Sequence, residues 1–141
     1  MKRRTIYLLL LALAVLLSSC GLKRGNPLDP SGNHNVEAPM IISDLEIYSS
    51  PPGAANKYVE MRWTANPPYN TDGYFVYRAI GYFSTFAVVD TVYTNNASHG
   101  SKPWHRVMPG QYWYKISAFK QYPAGRLEGR ACEPTWVEVR P

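Results

Sequence analysis

The chain has 141 residues, with 15 Lys and Arg against 10 Asp and Glu, a net charge of +5 and two cysteines. Its length is that of one domain. Three of the basic residues and none of the acidic ones precede Cys20, leaving 12 against 10, or +2, for the remainder. So small an excess with interspersed signs excludes the dense basic face that nucleic-acid binding requires, and no nucleic-acid partner is expected.

Lys2, Arg3 and Arg4 precede twelve largely apolar residues, Ile6 to Leu17. A membrane-spanning helix needs roughly 20 such residues, so this run has the form of a signal-peptide core. Ser18 and Ser19 are small, as the groove of a signal peptidase requires, and Cys20 follows. Leu17-Ser18-Ser19-Cys20 resembles the lipobox of bacterial lipoproteins. The alternatives are an ordinary secretory signal beside a chance cysteine, or an uncleaved anchor.

The resemblance implies cleavage before Cys20, a diacylglycerol thioether on its sulfur and, in many bacteria, a third acyl chain on its amine. Each buried methylene contributes about 0.8 kcal/mol, so two or three chains hold a protein stably on a membrane. Gly21 stands where an Asp would signal retention at the inner membrane. The outer membrane is therefore favoured, on its periplasmic face or at the cell surface. With Cys20 lipidated, Cys132 has no partner within the chain and reads as a small apolar packing residue, the alternative being an exposed free thiol or an intermolecular bridge.

Residues 1–19 are thus read as signal peptide, 20–38 as lipidated cysteine and tether, and 39–141 as the folded domain. Residues 21–38, GLKRGNPLDPSGNHNVEA, are too poor in apolar side chains to form a core and read as near-coil. Within them, Asn26-Pro27-Leu28-Asp29-Pro30 resembles a short motif near the start of some bacterial envelope lipoproteins. Lys23 and Arg24 are placed to lie against anionic head groups.

From Pro39 onward, short runs of period two are separated by Pro, Gly, Asn and Asp, the pattern of an all-β sandwich. The first strand is expected over Ser43–Tyr48, burying Leu45 and Ile47. The second, 57–64, places Val59, Met61 and Trp63 on one face and Tyr58, Glu60, Arg62 and Thr64 on the other. The third, Gly73–Ala79, turns Tyr74 and Val76 inward. A less regular run, Phe83–Val92, reads as an edge strand. Residues 94–106 carry the weakest strand signal and read as a long loop. Gln111–Ala118 is the strongest strand, sending Tyr112, Tyr114, Ile116 and Ala118 one way. A loop of about a dozen residues around Ala124–Arg126 then leads to a last strand with Trp136, Val137 and Val139.

This order resembles a fibronectin type III domain, an immunoglobulin-like sandwich of about seven antiparallel strands. The resemblance rests on Asp44-Leu45, on Val59-Glu60-Met61-Arg62-Trp63-Thr64, on Gly73-Tyr74-Phe75-Val76-Tyr77-Arg78, and on the run from Pro109 to Ala118. It implies that Trp63 packs centrally between the sheets and that Tyr112 forms a corner tying the preceding loop to its strand. The expected core residues are Trp63, Tyr74, Val76, Tyr112, Tyr114 and Ile116. The loop after Ala118 holds no Arg-Gly-Asp, so integrin-type adhesion has no support.

Chemistry is sparse. His34, His99 and His105 lack neighbours at metal-ligand spacing. There is no Gly-x-Ser-x-Gly turn and no phosphate-cradling Gly-rich loop. The expectation is a protein that is not an enzyme and needs neither metal nor cofactor. Eleven tyrosines and several aromatics on loops or outward positions remain. Of these, Tyr69, Trp104 and Trp113 are the candidate binding surface, with Tyr77 and Tyr82 also outward. Exposed rings on a sandwich anchor protein partners or stack on sugar faces. The expected partners are the membrane, through lipid on Cys20, and a protein or a polysaccharide. An alternative is assembly through a strand edge.

Overall fold

A computed structural model of the protein describes residues 25–93 and 100–141, with the backbone alone for 100–105. It is an all-β immunoglobulin-like sandwich of two antiparallel sheets, and the described residues contain no helix. The first sheet joins β1 (Ser43–Ser49), β2 (Tyr58–Thr64) and β5 (Gly100–Arg106) in the order β1-β2-β5. The second joins β3 (Gly73–Ala79), β4 (Ala87–Val92), β6 (Gly110–Tyr122), β7 (Gly125–Glu128) and β8 (Thr135–Val139). Its order is β4-β3-β6-β7, with β8 also paired to β6.

Alternation decides what each strand buries. Val59, Met61 and Trp63 of β2 face Tyr74 and Val76 of β3 and Tyr114, Ile116 and Ala118 of β6, all of them buried. The Trp63 and Tyr74 rings meet edge to face at 5.2 Å, joining the two sheets at the centre. Leu45 and Ile47 of β1 are partly buried against this core. Tyr112, expected in the core, is only partly buried at its margin. Its position at the start of β6 lets its hydroxyl donate to the Met108 carbonyl at 2.9 Å, closing the turn before the strand.

β1 begins with an irregularity between Ser43 and Glu46. Asp44 there has φ 56, a left-handed conformation that Asp tolerates better than most residues. Its carboxylate accepts hydrogen bonds from Thr64 Oγ1 at 2.8 Å and Ser43 Oγ at 3.0 Å, which hold its pKa below the usual carboxylate value.

Three parts of the chain depart from the sequence reading. Residues 94–106 do not form one long loop, because Gly100–Arg106 pair with β2. Pro103 and the polar residues around it give no alternation to read, and the register shifts between Val59 and Met61. The expected loop after Ala118 is a hairpin: β6 continues to Tyr122 and turns through Gly125, φ 139, into β7. β7 and β8 then lie along the same edge of β6, which makes eight strands. Between them Gly129 N–H donates to the Ala118 carbonyl at 2.8 Å and Cys132 N–H to the Ile116 carbonyl at 2.9 Å.

The third departure is the expected tether, whose described part is folded. Asn26, Asp29 and Asn33 side chains accept backbone N–H groups two residues on, forming successive Asx turns. Tyr122 Oη accepts from Glu37 N–H at 3.0 Å and donates to the Glu37 carbonyl at 2.9 Å. Val36 and Pro39 are buried. A Cβ on Gly129 would lie 2.2 Å from the Pro39 oxygen, so only glycine admits this approach. Residues 26–39 are therefore a strap along the β6–β7 hairpin. Asn66 Nδ2 donates to the Met40 carbonyl at 2.7 Å and Asn70 Oδ1 accepts from Met40 N–H at 3.1 Å, fixing the strap's exit into β1.

Candidate binding face

Residues on β6 that alternate with the core point to the outer face of the five-stranded sheet: Trp113, Lys115, Ser117, Phe119. Direct pairing places Phe75 beside Ser117, Tyr77 beside Lys115, and Trp136 beside Trp113 on the same face. The face thereby collects rings and cations, and it divides into a closed half and an open half.

The closed half centres on Phe119, which is buried although it points outward. Phe75 lies against it at 4.7 Å and Tyr93 at 5.8 Å. Arg126 of β7 covers all three rings, with its guanidinium carbon 4.3 Å from the Phe119 centroid, 5.3 Å from Phe75 and 5.7 Å from Tyr93. Beside it, Glu128 accepts hydrogen bonds from Tyr77 Oη and Ser117 Oγ. Burial first, and then the hydrogen bond to the Glu128 carboxylate and its negative charge, push the Tyr77 hydroxyl up to about 12. Lys115 Nζ lies 4.5 Å from the Phe86 centroid and 5.5 Å from Tyr77, marking the boundary between the halves.

The open half lies at the Trp113 end. Tyr82 packs edge to face on Trp113 at 4.9 Å, and Phe83 on Tyr82 at 4.9 Å. Phe83 is 98% exposed, Ile80 80% and Trp136 47%. Ile80, Tyr82 and Phe83 are carried on the β3–β4 connection, where Ser84 N–H donates to the Gly81 carbonyl at 3.0 Å. Among the described residues no cation lies over these rings as Arg126 lies over Phe119, and exposed apolar groups gathered in this way mark interaction sites.

The three candidate surface residues do not converge. Trp113 belongs to the open half. Tyr69, 75% exposed, is on the β2–β3 connection at the Phe119 end of the sandwich. Trp104 is on β5 of the other sheet, and its side chain lies outside the described residues. Phe83 and Trp136 were not singled out in the sequence as surface. The register of Trp136 with Trp113 depends on the β7–β8 break, which no local pattern announces.

A groove of about 520 Å³ lies between β1 and β8. Tyr48, Pro51, Pro52, Trp136, Glu138 and Arg140 line it. Tyr48 and Trp136 are each 47% exposed, and Arg140 Nε donates to Glu138 Oε2 at 2.9 Å.

Cys20, the expected lipidation site, lies outside the described residues, as does His99. His34 is exposed on the strap, and His105 is in β5 with its side chain outside the described residues. Among the described residues, no group of three or more His, Cys, Asp and Glu side chains is placed to hold a metal ion. Cys132 is a free thiol whose sulfur accepts from Ile116 N–H at 3.2 Å. Burial pushes its pKa up, against the lowering effect of the Ile116 amide. No protein-family model and no curated protein matches the chain.

Proposed function

We propose that this is a bacterial envelope lipoprotein, anchored through Cys20, that displays a fibronectin type III sandwich as a non-catalytic module for protein binding or scaffolding. The open half of the outer face is its contact surface. The observation that carries the reading is the convergence of Phe83, Tyr82, Trp113, Trp136 and Ile80 at one end of a sheet whose other end is closed by its own cation. Aromatic side chains of this kind dominate binding at interface centres. The lipobox residues support the anchor, and Trp63 at the centre and the Tyr112–Met108 bond support the family.

The test is in-cell photocrosslinking from position 83 in the full-length protein, compared with a probe at Glu60 on the opposite sheet. A discrete adduct from position 83 that disappears in W136A supports the reading. No adduct, or the same adduct from both positions, counts against it.

A polysaccharide ligand is the second reading, favoured by the groove between β1 and β8. Its two exposed rings beside a carboxylate and a guanidinium suit a sugar face and its hydroxyls. Tryptophan fluorescence that stays constant on titration with bacterial and plant glycans would remove it. Strand-edge assembly is the third reading. Among the described residues β4 pairs with β3 alone, and its residues Ala87 and Val88 are exposed.

A further inference from the structure

We propose that the hairpin end of the sandwich is seated directly against the bilayer that holds the lipid, so that the module stands on the membrane with its open aromatic half turned away. This rests on the reading of Cys20 as the lipidated residue.

Chain length is the first ground. A free tether over residues 20–38 would hold the domain at any orientation and at a variable distance. The strap leaves far less chain, since turns and hydrogen bonds begin at Asn26. Six Cα–Cα steps separate Cys20 from Asn26, a reach of at most about 21 Å even when fully extended. The strap begins at the hairpin tip, where a Cβ on Gly125 would lie 3.2 Å from Leu28 Cδ1. Glu37 is then tied to Tyr122, and Pro39 lies against Gly129. The hairpin also projects, because β3 pairs with β6 only as far as Phe119 while β6 runs on to Tyr122. Three further residues of strand are about 10 Å.

The chemistry of that end is the second ground. Tyr69 and Tyr93, 75% and 69% exposed, lie at that end, as do the exposed Met40 and Ile41. Tyrosines of this kind are at home where head groups meet hydrocarbon, ring in the apolar layer and hydroxyl in water. Asp29, Glu37 and Asp72 offset Lys120 and Arg126 at the same end, Asp72 pairing with Lys120 at 3.2 Å. Attraction to anionic lipid therefore does not set the orientation, which follows from the short reach and the rings.

The test uses the mature protein extracted from membranes of cells expressing the full chain, reconstituted in phosphatidylcholine nanodiscs with a trace of lipid bearing a gadolinium chelate on its head group. Amide line broadening is read by NMR. The expected result is several-fold greater broadening at Tyr69, Tyr93 and Ala124 than at Gly53, Gly81 and Phe83. Replacing a quarter of the lipid by phosphatidylglycerol should leave that pattern unchanged. Inserting about 20 Gly and Ser residues after Gly25 restores a long coil and should abolish the contrast. Equal broadening at both ends with acylated Cys20 overturns the proposal while leaving the lipoprotein reading standing. A contrast that survives the insertion overturns the short-reach mechanism. A mass spectrum showing unmodified Cys20 removes the lipoprotein reading and this proposal with it.

Discussion

The two sheets share one core but present opposite outer faces. On the three-stranded sheet, Glu46, Tyr48, Glu60 and Arg62 are linked by an ion pair, a hydrogen bond and a cation over a ring. Arg62 Nε donates to Glu60 Oε1 at 2.8 Å, Tyr48 Oη donates to Glu46 Oε2 at 2.8 Å, and the Arg62 guanidinium lies 5.6 Å from the Tyr48 ring. On the five-stranded sheet the same alternation delivers rings. Period two specifies that a residue faces outward; whether that position meets water, a cation or nothing depends on what the rest of the chain lays over it. The first face is a solvated surface, while the second is half packed and half available.

The core common to both faces sets the scale. Trp63→Ala should lower stability by about 3 to 5 kcal/mol, from loss of a central buried ring, measured as a shift in the denaturant midpoint. Gly73→Ala comes next. Its Cβ would lie 2.5 Å from both the Phe119 ring and the Val92 carbonyl oxygen, and the latter is backbone that cannot swing aside. Overpacking of this kind costs about 1 to 3 kcal/mol, and the Phe119 half should lose its near-ultraviolet dichroism first.

The faces are then compared directly. Arg126→Ala should cost about 1 kcal/mol, because its guanidinium covers three rings. Arg62→Ala, which removes an exposed pair, should cost no more than about 0.5 kcal/mol. Equal losses from the two would erase the distinction between a packed face and a solvated one. In the open half, Phe83→Ala should change stability by less than about 0.5 kcal/mol while reducing crosslinking from neighbouring positions.

Alkali sharpens the contrast further. Tyr77 on the outer face and Tyr114 in the core both have hydroxyls pushed up to about 12, in each case chiefly by burial. The folded state keeps their protons where the unfolded chain releases them near 10. Their contribution is fully present below pH 10 and is lost as pH rises from 10 through 12, because the unfolded state then binds fewer protons. Thermal midpoints should fall over that window, and Tyr77→Phe should make the fall shallower. Tyr114→Phe should do likewise, despite the neighbouring Arg78, which lowers the Tyr114 value.

Much of the fold was legible because β2 alternates cleanly and β3 and β6 send every second residue into the core. Five of the six expected core residues are fully buried, and Tyr112 sits at the margin because its hydroxyl must reach the loop it closes. β5 was hidden by Pro103 and its polar neighbours. β7 was hidden because four residues with one leucine carry too short a pattern. The strap differs from the coil that its composition suggests for a chemical reason. Asn, Asp and Pro usually mean coil, yet here Asx turns satisfy the backbone locally and Tyr122, 85 residues from Glu37, supplies the rest. The open half was visible only in part, since Trp113 and Tyr82 alternate outward while the partnership of Trp136 is a product of tertiary register.

β6 extends for 13 residues, about 43 Å at 3.3 Å each. The strap is bonded to its last residue, and the Trp113 rings stand near its first. A pull between a membrane anchor and a partner held at the Trp113 end would enter the covalent chain at β1 and load β6 through the strap's hydrogen bonds to Tyr122. The ladders of β6 with β3 on one side and with β7 and β8 on the other would be strained together in shear, rather than opened one bond at a time. A sandwich strung in this way should hold a steady tension that would unzip the same strands if they were pulled from the side.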